Sequence, residues 1–176
     1  FTEAALAEPL ACSVHAVRLA IELAGNDKNM TIAVLGGGAI GLLAALVFEA
    51  FGYSDIWIAE TNPLRRKMLE NIGNMQAYDP RDGALDKKPI DIIIDAVGSG
   101  VTRKVASQLI NPGGTIVHIG LQDNELGLDT RRLTLQEIKF QGTYCYRNGD
   151  FAEALVLLSE GKISGRGWAE VRPLDD

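Results

Sequence analysis

Two cysteines, Cys12 and Cys145, are all that the 176 residues contain, and no C-x-x-C pair occurs. A disulfide framework is thereby excluded as the organising device, and a reducing, cytoplasmic setting is the expectation. Positive charge is also in deficit. Seventeen Lys and Arg stand against 23 Asp and Glu, a net charge of −6, with no basic stripe to follow a phosphate backbone. Nucleic acid is therefore not an expected partner. No apolar run reaches the ~18 residues of a membrane span, the nearest being the stretch around Gly36. A charged leader before an apolar core is missing too, so the start does not read as a signal peptide. Solenoid repeats and low-complexity segments are likewise missing.

What is present suits one domain with a buried core: 47% hydrophobic and 23% charged residues. Strand and helix patterns alternate, which predicts a parallel sheet with helices on both faces. A helix over 4–24, with Pro9 near its start, leads through a polar turn to a first strand at 31–35, apolar throughout and so central. Further strands are expected at 55–60, 75–78, 90–97, 115–121 and 138–144. After the first strand, Ile40, Leu43, Ala44, Val47, Ala50 and Phe51 repeat at helical spacing up to Gly52. Asn62-Pro63 opens the next helix, with Leu64, Met68, Leu69 and Ile72 as its buried face. Residues 79–89 read as loop, 111–114 as a turn and 122–136 as irregular. Val101, Val105, Leu109 and Ile110 mark a further helix. Asp150 with Glu153 resembles a capping box before a last helix that turns Phe151, Leu155 and Leu158 inward. A doubly wound α/β Rossmann fold, about six parallel strands in the order 3-2-1-4-5-6, accounts for the whole pattern.

The chemistry begins at Gly36-Gly37-Gly38-Ala39-Ile40-Gly41, set between the first strand and the helix after it. In a G-x-G-x-x-G run the first glycine turns the chain off the strand. The second admits a pyrophosphate, and the third packs helix against strand. Gly36, Gly38, Ala39, Ile40 and Gly41 are therefore expected to cradle phosphate at the helix N-terminus. Glu60 closes the second strand, where an acid accepts hydrogen bonds from a ribose diol. With Thr61 and Arg65 it forms the expected ribose site. A carboxylate repels a 2′-phosphate, so NAD is favoured over NADP. Arg65 and Arg66 pull the other way, although arginines there also read as a solvated helix face. A methyltransferase is the competing reading of a glycine turn followed by an acid. Such proteins usually show G-x-G-x-G, and Gly41 favours a dinucleotide.

Several segments together resemble the cofactor-binding domain of the zinc-containing medium-chain alcohol dehydrogenases. They are Ala7-Glu8-Pro9-Leu10-Ala11-Cys12-Ser13-Val14-His15-Ala16, the glycine loop, and residues 91–98, 113–121 and 138–146. The similarity covers nearly the whole chain and is greatest to the polyol branch, which includes sorbitol and threonine dehydrogenases. It implies an oxidoreductase that moves hydride from a primary or secondary alcohol to NAD, with zinc as Lewis acid. It also implies a larger parent, with a catalytic domain before Phe1 and a return to that domain beyond Asp176. The sequence, which opens without methionine, is then expected to be an excised cofactor domain, inactive alone. Residues 1–28 would lead in from the catalytic domain, 29–165 would bind NAD and 166–176 would lead out.

Residue by residue, the resemblance gives Glu8 a place at or near the catalytic zinc, and it assigns no catalytic residue within this chain. Without that role Glu8 is a helix-start acid. Cys12 is expected as a small buried hydrophobe, His15 as a hydrogen-bonded structural residue and His118 as packing. Val97 and Gly98 would line the adenosine side. At Ile119, Gly120 and Leu121 the Ile119 carbonyl would hold the nicotinamide carboxamide, with the Thr143 carbonyl and the Cys145 N–H completing the clamp. The alcohol or polyol substrate would bind mainly through the missing domain. Homo-oligomers through the sheet edge are expected, with 125–130 as a candidate edge strand. The alternatives are a stand-alone NAD-binding regulatory module and an NADP-linked, zinc-free quinone reductase-type member.

Overall fold

The computed structural model describes residues 3–85 and 87–172. The expected segments 1–28, 79–89 and 166–176 therefore each fall partly outside the described residues. Strand β1 (Ile32–Leu35) is buried along its whole length and lies between β2 (Ile56–Ala59) and β4 (Ile90–Asp95). With β3 (Gln76–Tyr78), β5 (Ile110–His118) and β6 (Lys139–Gly142) these form one parallel sheet, order β3-β2-β1-β4-β5-β6. The expected fold class and strand order both hold.

Side chains alternate across a strand, so β1 feeds two cores. Ile32 and Val34 join the larger one, and Ala33 and Leu35 the smaller. The larger is closed by α1 (Ala7–Ala24), α2 (Ala39–Ala50), α3 (Pro63–Leu69) and α6 (Asn148–Ser159). The smaller lies under α4 (Gly100–Leu109) and α5 (Thr130–Leu135). Burial on both faces explains why β1 and β4 read as unbroken apolar runs.

The structure corrects the sequence reading at several points. Glu3–Ala24, a 3-10 turn followed by α1, is by length and composition apolar enough to cross a membrane, and half of it is buried. Glu8, His15 and Arg18 interrupt the run and conceal it from inspection. Its Leu10, Val14, Val17 and Ala20 are fully buried in the larger core, as in the core helix of a folded domain. Leu64 is 79% exposed because α3 reaches the core only through its last turn, at Leu69. Asp150 is the third residue of α6, not its cap, and accepts the Arg147 N–H at 2.9 Å. His15 Nδ1 and Arg18 Nη1, each 2.9 Å away, draw Asp150 inward. The buried stripe of α6 is thereby rotated onto Asp150, Ala154 and Leu157, leaving Leu155 46% exposed.

Residues 111–114, read as a turn, lie within β5. The register against β4 jumps from Ile90↔Ile110 to Ile92↔Thr115, so they form a bulge inside the strand. The strand ends at His118, earlier than expected, because the Ile119 and Gly120 N–H groups both turn to the Asp95 carbonyl, at 3.0 and 2.9 Å. Residues 125–129 form no strand, so β6 is the edge on that side.

Candidate cofactor site

The rim at the carboxyl ends of β1, β2 and β4 is where a doubly wound sheet binds ligands. The sheet grows from β1 to β2 and β3 on one side and to β4, β5 and β6 on the other, opening a crevice there. Gly36 leaves β1 at φ 101°, a left-handed turn that side chains disfavour. Gly38 caps α2 and has only open space where a Cβ would stand. A Cβ on Gly41 would lie 1.9 Å from the Gly36 carbonyl oxygen, so nothing larger than glycine lets α2 approach β1 this closely. The three glycines thus turn, admit and pack as a pyrophosphate cradle requires. Ala39, Ile40 and Gly41 form the first turn of α2, whose N–H groups have no intrahelical acceptor.

Glu60 is only 6% exposed, yet it borders the crevice. One carboxylate oxygen accepts the Gly37 N–H at 3.2 Å and faces Arg65 Nη1 at 3.3 Å. The other accepts the Asn62 N–H at 2.8 Å. Asn62 also caps α3 through Leu64 N at 2.9 Å, which fixes the helix that carries both arginines. Arg66 bonds the Glu60 carbonyl at 2.6 Å and Asp79 at 3.0 Å. The solvated-face reading therefore fails for Arg66, while Arg65 remains exposed with its guanidinium beside Glu60. The Arg81 guanidinium and backbone N–H, with Arg66 beside them, hold the Asp79 carboxyl well below the usual carboxylate range.

Gly36, Gly38, Glu60, Thr61, Arg65 and Val97 line one cavity of about 580 Å³, together with Thr102, Val105 and Gln122. Gly98, Ile119, Gly120 and Leu121 lie on the turns after β4 and β5, outside that lining. Thr143 follows β6 and donates its N–H to the His118 carbonyl at 3.1 Å, while its hydroxyl oxygen is buried without a partner. Cys145 is exposed and adopts φ 51°, a strained value for a side-chain-bearing residue. An orphaned hydroxyl beside a strained backbone suits a turn completed by a polar ligand.

The zinc expectation fares differently. Glu8 is exposed in the first turn of α1, and its closest partner is the Cys12 thiol at 3.6 Å. Cys12 is half-buried rather than buried. Burial, then the Glu8 charge, pushes its thiol up to about 11. Among the described residues no group of three or more His, Cys, Asp or Glu could hold a metal ion. The residues present do not form a zinc site by themselves. His15 is the structural histidine expected, paired with Asp150. His118 is more than packing, since its Nε2 lies 3.6 Å from Asp95.

Asp95 was not singled out from the sequence. It is fully buried at the end of β4. Its signal was there to be read: a lone acid closing the apolar run Ile92-Ile93-Ile94.

Residues 39–160 match the zinc-binding dehydrogenase family, and the chain belongs to it. The chain is 28% identical over 176 residues to the D-xylulose reductase of Saccharomyces cerevisiae, spanning 93% of this chain and 48% of that protein. It is 33% identical to the L-galactonate-5-dehydrogenase of Escherichia coli, spanning 92% of this chain and 48% of the other. A solved structure described as a zinc-binding dehydrogenase of Sinorhizobium meliloti, bound to NADP, superposes with TM-score 0.81 at 26% identity. That match covers 91% of this chain and 49% of the other. The chain spans about half the length of the curated relatives it matches. It is thus the cofactor-binding domain of a medium-chain dehydrogenase and is similar to the polyol branch.

Proposed function

We propose that this chain is the NAD-binding half of a zinc-dependent alcohol or polyol dehydrogenase. Residues 29–165 form the binding domain, while 1–28 and 166–176 connect it to the rest of the protein. One observation carries the reading. A buried carboxylate, Glu60, is held by the Gly37 N–H of the glycine turn at 3.2 Å and borders the same cavity as Gly36 and Gly38. Both Glu60 oxygens already accept chain N–H groups, and the one that accepts the Asn62 N–H keeps a lone pair for a ribose hydroxyl. The α2 N-terminus takes the pyrophosphate, and the turns at 119–121 and 143–145 take the carboxamide. When bound, the nicotinamide supplies the hydride acceptor. The chain's own work is to orient that ring. Glu8 would add one oxygen ligand to a zinc site whose other ligands lie elsewhere in the parent. The parent is proposed to be cytoplasmic, and the 176 residues alone to oxidise no alcohol.

NADP is the second reading, since Arg65 and Arg66 flank Glu60 and a relative carries NADP. Calorimetric titration with NADH and NADPH separates the two. NADH is expected to bind at least about tenfold tighter, and Glu60→Gln to narrow that gap, because like charges no longer meet at the 2′ position. Tighter NADPH binding by the unaltered chain would overturn the choice of NAD. Homo-oligomers are proposed to form along β6, all four residues of which are exposed. Sedimentation showing only monomer at high concentration counts against that.

A further inference from the structure

Asp95 organises more backbone than any cofactor-facing residue described above. Its carboxylate Oδ1 accepts the Val97 and Gly98 N–H groups at 3.1 and 2.9 Å. Its Oδ2 accepts the Thr102 hydroxyl at 3.0 Å and lies 3.6 Å from His118 Nε2. Its main-chain carbonyl accepts the Ile119 and Gly120 N–H groups. One residue therefore sets both the turn after β4 and the turn after β5. The two turns touch backbone to backbone. A Cβ on Gly98 would lie 2.0 Å from the Gly120 oxygen, and one on Gly120 would lie 2.1 Å from the Val97 carbonyl carbon. Gly98 also holds φ 74°, a left-handed turn that the Asp95 carboxylate stabilises by taking its N–H.

A second clasp closes the same two segments further out. Arg103 Nη1 bonds the Gly98 carbonyl at 3.0 Å, and its Nη2 pairs with Asp123 at 2.8 Å. Asp123 in turn accepts the Gly100 N–H at 2.9 Å. Nothing about Asp95 suits it to contact a ligand, since it is wholly buried and both its oxygens are engaged by the chain.

We propose that Asp95 is the positioning residue for the nicotinamide half of the cofactor. Its buried carboxylate holds the turn at 97–98 and its main-chain carbonyl holds the turn at 119–120, so that the second presents its backbone at a fixed distance from the first. This rests on the dinucleotide reading of the rim. The sheet order supports the division of labour. Glu60 follows β2 on one side of β1, while Asp95 ends β4 on the other, toward β5 and β6. A dinucleotide whose adenosine ribose sits on Glu60 must extend its other half over β4 and β5.

The test titrates 5′-AMP and NADH separately into the chain and into Asp95→Asn. AMP reaches the glycine loop, Glu60 and the Val97 edge of the same cavity, whereas NADH also needs the turn at 119–120. Asp95→Asn is expected to weaken NADH about tenfold, the size of a lost charge-assisted hydrogen bond, and AMP by no more than about threefold. Asp123→Asn, at the outer and partly exposed clasp, is expected to give the same NADH-selective loss, smaller in size. It carries the test if Asp95→Asn does not fold. A variant that loses AMP and NADH equally, or loses neither, overturns the role of Asp95. An unaltered chain that binds neither ligand overturns the dinucleotide reading instead.

Discussion

Leu35, the last residue of β1, is flanked at the same level by Ala59 of β2 and Asp95 of β4, and each flank ends in a buried carboxylate. On the β2 flank Glu60 is 6% exposed, borders the cavity and shares its oxygens with two chain N–H groups and Arg65. On the β4 flank Asp95 is fully buried and bonded to the chain through both carboxylate oxygens. The residue types are nearly the same and the strand positions lie one residue apart, yet the chemistry differs. Each carboxylate accepts three hydrogen bonds, so access makes the difference. A carboxylate that borders a cavity can bind, and one sealed beneath the rim can only shape.

The largest expected effect breaks the shaping flank. Gly98→Ala puts a Cβ against the Gly120 carbonyl and forces a side chain into φ 74°. It is expected to cost about 3 kcal/mol of stability, read from the urea midpoint. A loss below about 1 kcal/mol would mean that the two turns part easily. The matching change on the binding side is Gly38→Ala, where a Cβ meets nothing in the folded chain. Its stability is expected to stay within about 1 kcal/mol, while NADH affinity falls about tenfold because the methyl stands where the pyrophosphate must approach. Unchanged NADH binding by that variant would move the phosphate site elsewhere.

The smallest effect sets both flanks against a third buried acid, far from the rim. Burial disfavours the charge of Asp150, but the Arg147 N–H, the Arg18 bond and the nearby His15 outweigh it and hold the carboxyl below its ordinary value. A carboxyl depressed by folding adds stability that is present above the unfolded value of about 3.9 and is lost as pH falls through the lower folded value. Urea midpoints are therefore expected to drop as pH falls below about 5, and Asp150→Asn to flatten that slope while leaving NADH binding unchanged. A slope equal to that of the unaltered chain would show that Asp150 contributes nothing to acid sensitivity.

Legibility followed the range of the interactions. The glycine spacing, Glu60 and the Asn62 cap are local signals, and the structure places all of them at the rim or its edge. Leu64 and Leu155 were misjudged because helical periodicity cannot say how far a short helix overlaps the sheet, or which way a buried ion pair rotates one. The bulge at 111–114 escaped because Asn-Pro-Gly-Gly has the composition of a turn wherever it stands. Arg66 reads as a surface residue in the sequence because its acceptor, Asp79, lies on a different element.

By itself the sequence determined the alternation of strand and helix, the central place of β1, the glycine turn and the acid after β2. Those depend on side-chain period and on backbone freedom at single residues, which neighbours along the chain suffice to set. Only the tertiary structure decided that Asp95 clasps two turns and that Arg65 and Arg66 fold back on the acid. It alone left Glu8 without the partners of a metal site among the described residues. Such outcomes depend on which groups from distant segments meet in a space too small for water, and burial then makes each hydrogen bond either satisfied or costly.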